Sequence, residues 1–86
     1  MPDLAPESQA LRRAQSIDCD ENDFAIGVCN ADGRVIARTM LDCYRQVSRF
    51  SREMRKLGYA PLVVDDESRM QGCDVLLVKP RQRTAH

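Results

Sequence analysis

The strongest constraint on this chain is residues 40–57, MLDCYRQVSRFSREMRKL, in which Met40, Cys43, Val47, Phe50, Met54 and Leu57 recur at alternating spacings of three and four. At ~100° per residue such positions share one face, so the segment predicts an amphipathic helix with that face in the core. Arg45, Arg49, Arg52 and Lys56 fall close to the opposite pole and give the same helix a basic stripe. Thr39 followed by Asp42 resembles a capping box at its start. Gly58 and then Pro61 mark its end, because a left-handed residue is cheap only for Gly and Pro cannot resume a helix.

An isolated amphipathic helix is marginal in water, so this one needs a sheet to dock on. Residues 24–30, FAIGVCN, and 34–39, RVIART, read as strands joined by Ala31-Asp32-Gly33, a strong hairpin signal. Two registers fit. A two-residue loop at Asp32-Gly33 groups Arg38 with Gly27, whereas a type I turn with a Gly bulge pairs Asn30 with Arg34 and brings Arg38 beside Ile26. Residues 61–65 and 74–79 supply a third and a fourth strand, and neither alternates. Continuous apolar strands are usually buried on both faces, yet one helix covers only one. The other face is expected to lie under the N-terminal segment, with its Leu11 and Ile17, or under a second copy of the chain.

The expected fold is therefore α+β, in the order ββαββ: a four-stranded, mainly antiparallel sheet, ordered 2-1-3-4, with one long amphipathic helix on one face. Residues 1–22 read as a short helix beginning at Pro6 or as a disordered lead-in, 23–80 as the single domain and 81–86 as a flexible basic tail.

Eighty-six residues support one domain with a modest core. Lys+Arg and Asp+Glu are both 13, and a net charge of zero argues against a general nucleic-acid glue. The charge is unevenly spread, with acids gathered in residues 1–23 and bases in residues 38–56. No basic n-region followed by an apolar run opens the chain, and no apolar stretch approaches the ~20 residues that span a bilayer, so a cytoplasmic address without membrane association is expected. The four cysteines, Cys19, Cys29, Cys43 and Cys73, form no C-x-x-C and read as free thiols.

Chemistry is sparse. Asp18-Cys19-Asp20-Glu21-Asn22-Asp23 begins like a calcium-binding EF-hand loop, but Asp23 stands where Gly must turn and Cys29 where a bidentate Glu is needed, leaving a solvated acidic connector. The one histidine, His86, is the last residue, a poor place for a positioned base. Asp65-Asp66-Glu67 has no phosphate-cradling Gly-rich loop beside it. No catalysis, metal, cofactor or small-molecule substrate is expected. The leading expectation is a small non-catalytic binding or regulatory module that recognises a protein partner, a homodimer included, through the basic helix face or a sheet edge. Its candidate contacts are Arg45, Arg49, Arg52, Lys56 and Arg38. The alternative places the same arginines on nucleic-acid phosphates, helped by Arg81 and Arg83. The zero net charge weighs against it, as does an apparent lack of aromatics in the stripe, Tyr44 and Phe50 both being assigned to the core side.

Overall fold

The computed structural model describes residues 6–20 and 23–80; the expectations for residues 1–5, 21–22 and 81–86, the basic tail included, lie outside the described residues. In chain order the elements are α1 (Pro6–Gln15), β1 (Phe24–Cys29), β2 (Val35–Leu41), α2 (Tyr44–Lys56), β3 (Ala60–Leu62), α3 (Asp66–Met70) and β4 (Val75–Val78). This is the expected α+β fold, with a long amphipathic helix and a short N-terminal one packed on a four-stranded, mostly antiparallel sheet. Ala10 and Ala14 of α1, Val47, Phe50 and Met54 of α2, and Ile26, Leu41 and Leu77 of the sheet close one core.

The strand order is β2-β1-β4-β3, not 2-1-3-4. The two hairpins pair antiparallel as expected, but they meet through a parallel β1–β4 seam. Composition explains the exchange. β4 is VLLV, with Leu76 and Leu77 both buried on opposite sides, and so belongs at the centre. β3 contains Pro61, which has no N–H to give a second neighbour, and all three of its residues are exposed, so it belongs at an edge. α2 thus leaves one edge strand and returns to the other.

The helix begins later than the apolar spacing suggests. Met40 and Leu41 continue β2, and strand alternation buries Leu41 completely while leaving Met40 48% exposed. Thr39 pairs with Ile26 inside the sheet, so the Thr39–Asp42 capping box does not form. Cys43 is the N-cap, without a side-chain cap bond. Gln46 serves this end instead: its Oε1 accepts the Asp42 N–H at 2.9 Å and its Nε2 donates to the Ile17 carbonyl at 2.7 Å. The other end follows expectation. Gly58 has φ +95°, its N–H donates to the Arg55 carbonyl at 3.0 Å, and the Tyr59 N–H donates to the Met54 carbonyl at 3.1 Å, which together make a Schellman motif.

Both hairpin registers are realised, on either side of a bulge. At the turn, Asn30 N–H donates to the Arg34 carbonyl at 3.0 Å, Gly33 sits at φ +83°, and Asn30 Oδ1 accepts from the Asp32 and Arg34 N–H groups. The register then shifts between Val28 and Cys29, leaving Ile36 as the extra residue, so that Gly27 faces Arg38 and Ile26 faces Thr39. Gly27 permits close packing, since a Cβ there would fall 2.8 Å from Leu76 Cδ2 and 3.0 Å from Cys73 Sγ and the Leu76 side chain would have to shift.

Those contacts belong to the sheet's second face, where Cys29, Cys73 and Leu76 form a small cluster with Val35, Val64 and Val78. α1 does not cover it, having packed beside α2. Residues 65–67 run into the short helix α3, and the third strand, expected over residues 61–65, stops at Leu62.

Two of the four cysteines are not free thiols. Cys19 and Cys43 form a disulfide with Cα atoms 6.0 Å apart, while Cys29 and Cys73 are free and buried. Sequence spacing is blind to this pair because 24 positions separate its members, and the folding back of the β1–β2 hairpin is what brings them together.

Two stability outcomes follow in denaturant titrations and thermal melts. Met54→Ala should cost about 2–5 kcal/mol, whereas Met40→Ala, drawn from the same apolar spacing, should stay within about 0.5 kcal/mol. A reducing agent should remove about 3 kcal/mol and lower the Tm of the wild-type protein, with no further effect on the Cys19→Ser/Cys43→Ser variant.

Candidate functional site

Residues 44–56 carry five cations, Arg45, Arg49, Arg52, Arg55 and Lys56, against one carboxylate, Glu53. Helical geometry decides what each can do. The arc bearing Gln46, Val47, Phe50, Glu53 and Met54 is buried, so the single acid of the helix is turned inward and the cations outward. Small residues on α1 allow the two helices to approach: Ala10 and Ala14 are buried in the shared core.

Glu53 is only 5% exposed and is held by Arg13 Nη1 at 2.5 Å and Lys56 Nζ at 2.9 Å. Hydrogen bonds from Arg13 and then Lys56 outweigh the burial and lower its pKa to about 2. Lys56, expected in the outward stripe, is therefore engaged at the helix–helix seam. Gln46, 1% exposed, fills the same flank one turn pair earlier with its donors and acceptor satisfied. At the N-terminal side of α1, the buried Tyr59 hydroxyl donates to Glu7 Oε1 at 3.2 Å; burial, reinforced by that carboxylate, raises the Tyr59 pKa.

With the acid withdrawn, the outer face of α2 carries one sign of charge. Arg49, Arg52 and Arg55 are exposed and make no ion pair among the described residues. Arg45 is also exposed, and its Nη2 donates to the Asp18 carbonyl at 3.3 Å, leaving the rest of its guanidinium facing outward. The contact is to backbone, so the acidic connector does not neutralise the stripe through this residue's carboxylate.

Tyr44 is the main correction to the expected site. Its ring stands 71% exposed at the start of α2, touching Phe24 edge-on with centroids 6.4 Å apart, rather than entering the core as Phe50 does. It adjoins Arg45 and lies near Ser48 and Arg52 on the outer face. Two shallow depressions, of about 230 and 370 Å³, flank this row and share Tyr44, Ser48 and Arg52; the first adds Arg45 and Arg49, the second Arg55. Arg38 is not part of this surface. It pairs with Gly27 on the sheet's second face, away from both helices.

Of the five candidate residues, the structure brings Arg45, Arg49 and Arg52 together, diverts Lys56 to Glu53 and separates Arg38. It adds Arg55, Tyr44 and Ser48. The helical spacing Tyr44, Ser48, Arg52, Arg55 is present in the sequence, but Tyr44 is read there as facing the core. Guanidinium groups arrayed this way are suited to anionic oxygens, which they can hold bidentately. Among the described residues no cluster of three His, Cys, Asp or Glu is arranged for a metal ion. Comparison with family models, curated proteins and solved structures finds no match.

The Glu53 pairing sets a pH dependence. Because its pKa falls from 4.5 to about 2 on folding, its stabilising contribution is complete above about 4.5 and is lost as the pH drops towards 2. Urea titrations across that interval should show the stability difference between wild type and Glu53→Gln narrowing as acid is added.

Proposed function

We propose that this protein is a non-catalytic binding module that docks on an anionic macromolecule through the outer face of α2. The observation that carries this reading is the segregation of charge on one helix: Glu53 buried and doubly paired, Arg45, Arg49, Arg52 and Arg55 exposed. A chain of zero net charge has no long-range pull on polyanions as a whole, so any such attraction must come from a local patch. Its partner supplies negative charge in a row, as phosphates or as carboxylates.

A second reading, self-association, draws on a different surface. The sheet's second face carries Met40 on one edge strand and Leu62 on the other, both half-exposed, with the half-buried Val35 and Val78 on the same face, and a second copy could cover these side chains. Arg38 lies on that face between Val35 and Met40. A homodimer there would leave α2 free for its own partner. Among the described residues no helix is long and apolar enough to cross a membrane. The cytoplasmic address belongs to this proposal, and in such a compartment reductants act against the Cys19–Cys43 bond.

Chromatography on an immobilised polyanion tests the main reading. The wild-type protein should be retained and released by salt, and Arg49→Glu/Arg52→Glu should flow through. Arg34→Glu/Arg38→Glu, with the same change in net charge but away from α2, should elute close to wild type. Flow-through of the wild type, or equal loss in both variants, overturns the reading.

A further inference from the structure

We infer that the anionic partner of α2 is a single-stranded nucleic acid, with its phosphates on the arginines and an unstacked base on the Tyr44 ring. The inference rests on the reading of this face as an anion-docking surface and goes on to name what docks there.

Charge complementarity narrows the partner to a polyanion, and the position of the aromatic ring narrows it further. Tyr44 is 71% exposed at the head of the row of cations, and of the two depressions it helps to line, one is bounded by Arg45, Arg49 and Arg52 and the other by Arg52 and Arg55. A complementary partner has to offer anions at intervals with a flat apolar face set among them. A nucleotide chain repeats those two features in every unit. A duplex has the same phosphates but hides the faces of its bases in the stack, and an acidic peptide has the charge without the repeating ring.

The dimensions are compatible. Arg45 to Arg55 spans ten residue steps of α2, ~15 Å at 1.5 Å per residue, enough for a few phosphates. The ring meets Phe24 in a T-shaped arrangement with centroids 6.4 Å apart, while most of its surface stays open. Ser48, exposed between Tyr44 and Arg52, adds a hydroxyl that can donate to a phosphate or accept from a base.

The test is fluorescence anisotropy on the full chain with short unstructured DNA and RNA oligonucleotides, a duplex of equal length and polyglutamate, at rising salt. Single strands should bind tightest, with log K falling against log[salt] at a slope of about −3 for four phosphate contacts, and Arg49→Ala should reduce that slope by about 0.7. Tyr44→Ala should weaken single-strand binding about tenfold or more, while Tyr44→Phe retains it. Circular dichroism of both variants should match wild type, as expected for a largely exposed side chain. If duplex or polyglutamate binds as tightly as single strands, or if Tyr44→Ala binds unchanged, this inference falls and the anion-docking face stands. If nothing in the panel binds even at low salt, both fall.

Discussion

The placement of one carboxylate governs the rest of the molecule. An ionised Glu53 buried at the flank of α2 would be strongly destabilising if left alone, so the fold must bring cations to it, and α1 supplies Arg13 while the helix itself supplies Lys56. Docking α1 there closes the core over Ala10 and Ala14 and seals the side of the helix that the sheet does not reach. The same act leaves the solvent side of α2 without an acid. Stability at the seam and charge at the surface are two results of a single packing decision.

How much of this was legible beforehand differs from element to element. Gly58 and Pro61 fixed the helix end because each acts through its own backbone, with no help from tertiary contacts. A hairpin turn at Ala31-Asp32-Gly33 was legible for the same reason, but its register was not, because the bulge beyond it depends on how the strands pair. The helix start was not, since Met40 fits a helical spacing while its neighbour Leu41 fits a strand, and only the partner strand decides between them. Strand order lay one level higher. Pro61 and the unbroken VLLV run contained the information, but it had to be used as a rule about edges and centres rather than about neighbours in sequence.

The candidate surface was half legible. Periodicity located Arg45, Arg49 and Arg52, but it assigns angles, not neighbours, and so could not show that Lys56 would be captured by Glu53 or that Arg38 would face the other way. Gln46 and Glu53 look like surface residues until a second helix is laid against them, and nothing in residues 1–22 announces that contact beyond a thin stripe of small and apolar side chains. Read on the core side with Phe50, Tyr44 instead stands 71% exposed. The helix face that enters the core carries Val47, Phe50 and Met54. The disulfide was invisible for a related reason, being a product of the completed hairpin.

That cross-link has a mechanical meaning beyond its effect on folding. From Cys19 to Cys43 the chain is a closed ring with the whole β1–β2 hairpin inside it. A protease nicking the exposed turn at residues 31–33 would therefore cut the backbone without parting the two fragments. A pull applied upstream of Cys19 would bypass the first two strands and arrive directly at the threshold of α2, beside Tyr44 and Arg45.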